Sequence, residues 1–171
     1  MVSAPVCIEL DADHVYRING RVVPGVTQIL SEVGLIDGTW FTPESRARGS
    51  AVHTACEYLD EGDLDWASVA PEIVPYVKAW ERFCGDCDVT HHLSEHRVYN
   101  GYCGTVDRVS TVGGQAEGHK YVLDIKTGGP EDWHRLQTAA YAACLPAEGV
   151  LHRATVHLSN DGRYVIQKHK L

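Results

Sequence analysis

The stretch that decides the fold is YVLDIKTG at residues 121–128, an apolar run that ends with an acid and a base two positions apart. Side chains of a β-strand alternate between its two faces, so Asp124 and Lys126 project from the same face, together with Val122. Burying a carboxylate and an ammonium carries a large desolvation cost. The pair therefore indicates either a functional site or a solvated ion pair at a strand end, and partner residues elsewhere in the chain decide between them.

The length of 171 residues predicts one domain spanning 1–171. We assign an N-terminal β-hairpin and helices to residues 1–85, and a sheet with one helix to residues 89–171. Apolar residues make up 44% of the chain, which is typical of a globular protein. The sequence has neither an apolar run of membrane-spanning length nor a signal segment, which predicts a cytoplasmic protein that does not act at a membrane.

Charge is distributed unevenly along the chain, whose net charge is −8. Residues 1–96 carry 6 Lys and Arg against 16 Asp and Glu, whereas residues 97–171 carry 9 against 7. This acidity argues against strong nonspecific affinity for duplex DNA from charge alone. A polyanionic partner would have to bind a local basic patch.

Two of the six cysteines form a CxxC motif, at Cys84 and Cys87. A CxxC motif without a second Cys or His pair at zinc spacing is weak support for a metal site. We therefore interpret both cysteines as structural residues.

The N-terminal region contains the signals of a hairpin and a short helix. Asn19-Gly20 fits a two-residue turn between strands at 15–18 and 21–23. Thr27 is expected to cap a helix over 27–33, with Gly34 in the left-handed conformation that ends it.

A longer helix is predicted to begin at Thr42-Pro43, because Thr is a good N-cap and Pro is favoured at the first helical position. The helical pattern runs to about Asp60. It places His53 and Glu57 one turn apart on one face.

The remaining pattern predicts a sheet. Three consecutive runs have the two-residue period of strands and form an antiparallel meander. The elements predicted after residue 70 are a helix over 71–83, strands over 89–99, 102–112 and 120–126, a helix over 132–145, and strands over 151–158 and 163–169. This order is typical of an α+β protein with a central mixed sheet flanked by helices.

The second strand of the meander supplies a further acid. Antiparallel pairing with the strand at 120–126 brings Asp107 into the neighbourhood of Asp124, with a register that the loop length leaves open. Two close carboxylates repel each other unless a cation lies between them. Their hard oxygen ligands favour Mg²⁺ or Mn²⁺.

Four motifs in this order resemble the RecB-like branch of the PD-(D/E)xK nuclease superfamily, which includes RecB and AddB nuclease domains and many phage exonucleases. The resemblance covers about residues 15–145. The motifs are Arg48-Gly49-x-x-Val52-His53, Gly104-x-x-Asp107, Asp124-x-Lys126-Thr127-Gly128 and Gln137-x-x-x-Tyr141.

The resemblance implies a nuclease core with a divalent-metal site. His53, Asp107 and Asp124 match the metal ligands of the family, joined by the backbone carbonyl of Ile125. Lys126 matches its catalytic lysine, which orients the attacking water and offsets charge on the phosphate. The resemblance also matches Glu95 to a glutamate often found one strand before the GxxD motif, and we include it among the catalytic candidates.

Several further residues are candidates for substrate binding. The resemblance places Gln137 and Tyr141 beside the site, in contact with the substrate or in support of the ligands. The remaining candidates are Arg46, Arg48, Arg108 and Thr127. For Arg46 and Arg48 the alternative is a solubilising helix face, and for Tyr141 it is a core position.

The function implied by the resemblance is that of a deoxyribonuclease, an exonuclease acting on DNA ends in recombination, repair or phage DNA processing, together with a possible recombination partner protein. A nucleic-acid-binding or protein-interaction module that keeps the fold without cutting is the alternative. Only Cys144 lies near the position of the cysteines that follow the Gln/Tyr motif in iron–sulfur members, so we expect no cluster. The sequence leaves the oligomeric state open.

Overall fold

The computed structural model describes residues 7–38, 42–114, 118–146 and 151–170. These residues form two β-sheets, four α-helices and a short 3₁₀ turn at Trp66–Ser68. In chain order the elements are β1 (Ile8–Leu10), β2 (Tyr16–Ile18), β3 (Arg21–Val23), α1 (Val26–Glu32), α2 (Pro43–Glu61), α3 (Val74–Asp86), β4 (Thr90–Tyr99), β5 (Cys103–Val112), β6 (His119–Lys126), α4 (His134–Cys144), β7 (His152–Leu158) and β8 (Tyr164–His169).

The larger sheet has five strands in the order β4-β5-β6-β7-β8. Strands β4, β5 and β6 form the predicted antiparallel meander. Strand β7 pairs with β6 in parallel, because α4 carries the chain back across the sheet, and β8 returns antiparallel to β7. The protein is therefore α+β with a mixed sheet, as the sequence predicts.

The smaller sheet contains the predicted hairpin. Its turn residues Asn19 and Gly20 have φ values of 51° and 74°, the positive values that a type I′ turn requires. A third strand, β1, pairs with β2 through Ile8 and Ile18. The sequence analysis missed β1, whose three residues are too few to show a period.

Helix α2 confirms its sequence signals. The Thr42 side chain accepts a hydrogen bond from Ser45 N at 3.1 Å, and Pro43 is the first helical residue. Gly62, with φ 75°, ends the helix one residue beyond the predicted position. The buried side chains Val52 and Cys56 hold this helix against the large sheet, which fixes the position of His53.

Two predicted helix starts are wrong. Helix α1 begins at Val26 with Gly25 as its N-cap, so Thr27 lies inside the first turn and does not cap it. Gly34 does adopt the predicted left-handed conformation, with φ 75°. Helix α3 begins at Val74 rather than at residue 71, because Pro75 fits only a first turn, where no backbone N–H is needed.

The hydrophobic core lies on both faces of the large sheet. Leu123 and Ile125 pack with α2 and α3 on one face. Val122 packs with α1 and α4 on the other face. The alternation predicted for residues 121–126 is confirmed, and it directs Asp124 and Lys126 towards the α4 side. Within the described residues, no helix combines the length and the hydropathy needed to cross a membrane.

Candidate metal centre

The candidate centre lies where β5 and β6 stop pairing with each other. Their ladder runs from Val112–His119 to Arg108–Leu123. Beyond that pair, Ile125 N donates to the carboxylate oxygen Oδ2 of Asp107 at 2.7 Å. Asp107 is the residue before Arg108 and Asp124 is the residue after Leu123, so the two acids face each other at the end of the ladder, in the register that the sequence left open.

His53 approaches this point from α2. Its Nε2 lies 3.0 Å from the carbonyl oxygen of Ile125. Its Nδ1 lies 3.6 Å from Asp107 Oδ2 and 3.7 Å from Glu95 Oε1. One ligand atom from each of His53, Glu95 and Asp107 lies within 4.8 Å of the others.

The atoms that meet at this point are His53 Nδ1 and the carboxylate oxygens of Glu95 and Asp107. The other ring nitrogen, Nε2, makes a hydrogen bond with the Ile125 carbonyl oxygen. Oxygen and imidazole ligands without a thiolate fit Mg²⁺ or Mn²⁺.

Asp124 lies beside this group but not within it. Its side chain is buried, and Lys126 Nζ is 2.7 Å from its Oδ2. The ammonium therefore compensates the charge of the buried carboxylate, although the contact lacks the geometry of a hydrogen bond.

The acids and the histidine shift one another's pKa values. Burial raises the pKa of Asp107 to about 6, and repulsion from Asp124 contributes to the rise. Burial alone would lower the pKa of His53, but Asp107 and Glu95 raise it to about 9. A positive charge is thus favoured at the point where the three side chains meet.

Glu95 reaches the centre through an unusual backbone. Its φ is 44°, a left-handed value that costs a non-glycine residue about 1 kcal/mol or more. It lies between the pairs Ser94–Arg108 and His96–Val106 of the β4–β5 ladder. Burial raises the pKa of Glu95, but His53 and Arg108 together lower it below its ordinary value.

Arg108 holds Glu95 from inside the protein. It is fully buried, donating from Nε to Asp60 Oδ2 at 2.7 Å and from Nη1 to Glu95 Oε1 at 3.1 Å. The sequence analysis gave Arg108 a substrate contact. The structure instead places it where it positions Glu95, because a fully buried guanidinium cannot touch DNA.

Lys126 is held by residues of α4. Its Nζ donates to Gln137 Oε1 at 2.9 Å and lies 5.2 Å from the centre of the Trp133 ring. Gln137 Nε2 in turn donates to Tyr141 Oη at 2.9 Å. Gln137 and Tyr141 are both buried, so they support Lys126 rather than present a surface to the substrate.

Packing explains why the first residue of the GxxD motif, Gly104, is a glycine. A Cβ atom on Gly104 would lie 2.4 Å from Cε1 of Tyr141. Real Cβ atoms essentially never approach that closely, so β5 and α4 can pack together only with a glycine there.

The other substrate candidates are Thr127, which lies at an open cleft after the end of β6, and Arg46 and Arg48, which are not among the residues that line it. Thr127 lines this cleft of about 390 Å³, with Gly128, Gly129 and Pro130. Arg48 is half-buried, with its guanidinium 5.9 Å from the ring centre of Tyr76, another lining residue, whereas Arg46 is exposed. The lining includes none of His53, Asp107, Asp124 and Lys126, so the cleft lies next to the candidate centre and is not formed by it.

Neither models of known protein families nor curated protein sequences match this chain.

Two features of the centre had no signal in the sequence. One is the link from Asp60 through Arg108 to Glu95, which joins residues far apart in the chain. The other is the contact of Gln137 Nε2 with Thr27 Oγ1 at 3.3 Å, which depends on the packing of α1 against α4.

Proposed function

We propose that this protein is a divalent-metal-dependent deoxyribonuclease with a PD-(D/E)xK nuclease core. The observation that carries the proposal is the meeting of His53, Asp107 and Asp124 beside Lys126, whose ammonium pairs with the buried Asp124 carboxylate. Acids, an imidazole and an ammonium in one place suit the hydrolysis of a phosphodiester.

The residues divide into ligands and supports. His53, Asp107, Asp124 and the Ile125 carbonyl would hold Mg²⁺ or Mn²⁺, with Glu95 beside them. An ion held there would supply a Lewis acid for the scissile phosphate and for the attacking water.

Lys126 acts on the water and on the phosphate. With Gln137 holding its Nζ, the ammonium can orient the attacking water and offset the negative charge that develops on the phosphate.

We assign DNA ends as the substrate and exonuclease as the mode, in recombination, repair or phage DNA processing, with a recombination protein as a partner. These assignments rest on the resemblance to the histidine-containing RecB-like branch.

The experiment compares end-labelled linear duplex, single strands and closed circular DNA, with Mg²⁺, Mn²⁺ or EDTA. We expect metal-dependent loss of linear DNA and survival of the circle. The variants Asp124→Ala and Lys126→Ala should lose at least about 100-fold in rate, since each removes a group acting in the transition state. Lys168→Ala, a change of an exposed lysine on β8, is the matched control and should retain the rate.

A non-catalytic binding module is the second candidate. The ion pairs of the centre favour this candidate, because Lys126 pairs with Asp124 and Arg108 pairs with Glu95. These charges compensate one another without a metal ion. Binding of labelled DNA that is not cut in either metal, at high protein concentration, would establish this candidate and reject the nuclease.

A further inference from the structure

A second cluster of ligating side chains lies on the other side of Arg108. Asp60 comes from the end of α2, Cys84 from α3 and His91 from β4. One ligand atom from each lies within 4.8 Å of the others. His91 Nε2 is 3.3 Å from Asp60 Oδ1 and 3.6 Å from Cys84 Sγ.

The separations match a tetrahedral ion. Zn²⁺ binds oxygen and nitrogen at about 2.0 to 2.1 Å and sulfur at about 2.3 Å, which places neighbouring ligand atoms about 3.3 to 3.8 Å apart. Both distances from His91 Nε2 fall in this range. His91 therefore already lies at metal-ligand spacing from both Asp60 and Cys84.

A hydrogen-bond partner on β5 orients the ring of His91. His91 Nδ1 lies 2.8 Å from Oγ of Ser110, a fully buried residue on β5. With Nδ1 protonated and donating to Ser110, Nε2 presents its lone pair to the space shared with Asp60 and Cys84. Metal-binding histidines are commonly fixed by such a partner.

The remaining contacts fix the carboxylate. Trp80 Nε1 donates to Asp60 Oδ1 at 2.8 Å, and Arg108 Nε donates to Asp60 Oδ2 at 2.7 Å. The Trp80 ring also stacks on His91, with ring centres 5.7 Å apart. A register irregularity in β4 between His91 and Leu93 accompanies this placement, and such bulges re-aim side chains.

We propose that Asp60, Cys84 and His91 form a Zn²⁺ site, with water as a fourth ligand. A thiolate and an imidazole select Zn²⁺ over Mg²⁺, so this site and the candidate nuclease centre take different ions. One thiolate and one carboxylate neutralise the charge of the dication. The ion ties α2, α3 and β4 together, and through Asp60 it fixes the guanidinium of Arg108 that positions Glu95.

The first test titrates metal-free protein with Co²⁺, which reports thiolate coordination by a charge-transfer band in the near ultraviolet. The protein carries Cys7→Ser throughout, because Cys7 is an exposed thiol. We expect one equivalent of Co²⁺ to give the band and one equivalent of Zn²⁺ to remove it by competition. Absence of the band would overturn the proposal and leave Asp60, Cys84 and His91 as a hydrogen-bonded network.

Variants assign the band to its ligands. Cys84→Ser and His91→Gln should lose the band and weaken Zn²⁺ binding at least tenfold. Cys144→Ser, a change of a half-buried thiol on α4, is the matched control and should keep both. A band that persists in folded Cys84→Ser, with folding checked by circular dichroism, would reject the site.

A further variant separates this proposal from the nuclease proposal. His53→Ala removes a ligand of the candidate nuclease centre but none of Asp60, Cys84 and His91. It should therefore keep the Co²⁺ band whether or not the protein cuts DNA. Loss of the band in folded His53→Ala would show that the thiolate-bound ion depends on the nuclease centre, and would reject an independent second site.

Discussion

Lys126 Nζ donates a hydrogen bond to Gln137 Oε1 at 2.9 Å, joining the end of β6 to α4. The amide nitrogen of Gln137 donates a hydrogen bond to Tyr141 Oη, and this contact fixes the orientation of the amide. The ammonium therefore keeps a defined direction without leaving Asp124, whose Oδ2 is 2.7 Å away. A lysine held on two sides has little freedom, which suits the water-orienting role proposed for it.

We expect Gln137→Ala to reduce the rate of DNA cleavage about 10- to 100-fold, because Lys126 then loses the hydrogen bond that orients its ammonium from α4. Metal affinity should not change, since Gln137 contacts none of the ligands. The measurements are the initial rate of cleavage and Mn²⁺ binding by calorimetry. Gln28→Ala, a change of an exposed glutamine on α1, is the control. A loss of Mn²⁺ binding equal to the loss of rate would show that Gln137 acts on the ligands instead.

Replacing Arg108 by Met should lower the free energy of unfolding by about 3 to 5 kcal/mol. The substitution keeps most of the side-chain volume but leaves Asp60 and Glu95 as partly buried carboxylates without their common partner. Urea denaturation followed by fluorescence measures the change. Arg163→Met is the control, because Arg163 is exposed and pairs with Asp161 in the solvent, so its loss should leave stability unchanged. Equal stability of the two variants would contradict the role assigned to Arg108.

Gly104→Ala should destabilise the protein by about 1 to 3 kcal/mol, the usual cost of an overpacked core, since its Cβ would meet the Tyr141 ring at 2.4 Å. Gly128→Ala should have little effect, because a Cβ there has nothing within 4 Å. Thermal unfolding compares the two variants. In the double variant Gly104→Ala with Tyr141→Leu, the smaller side chain at position 141 should relieve the clash. The changes in the free energy of unfolding of the two single variants should therefore not add, and additive changes would contradict this contact.

His134 should make the protein sensitive to acid. It is buried, and its Nδ1 accepts a hydrogen bond from Glu131 N at 3.2 Å, which only the neutral ring can do. Burial, with help from the charge of Lys126, lowers its pKa from 6.5 to about 3. Below pH 6.5 the unfolded chain binds a proton that the folded protein does not, so stability is present above that pH and is lost as the pH falls towards 3.

We therefore expect His134 to contribute a loss of about 1.4 kcal/mol per pH unit in the lower part of this window. His134→Asn, whose amide oxygen can still accept from Glu131 N, should flatten the dependence. His96→Asn, a change of an exposed histidine on β4, should leave it as it was. Urea denaturation between pH 7 and 4 gives the slopes, and an unchanged slope in His134→Asn would contradict the assignment.

Local signals in the sequence were sufficient to predict several elements of the fold. Asn19-Gly20 predicted a hairpin, and Thr42 with Pro43 predicted the start of α2, because turn and cap conformations depend on a few adjacent residues. The alternation of residues 121–126 likewise predicted which side chains face each side of the sheet. The four motifs nominated the residues of the centre, and the structure brings His53, Asp107 and Asp124 to the end of β5 and β6.

Other features were decided only by the tertiary structure. No local sequence pattern predicts the burial of the Arg108 side chain or the left-handed backbone of Glu95. The same holds for the cluster of Asp60, Cys84 and His91. Each depends on the register of β4 against β5 and on how α2 and α3 pack over them. Sequence by itself determined which residues could carry chemistry here. Only the fold determined which of them meet, because contacts between distant segments are fixed by pairing and packing across the whole chain.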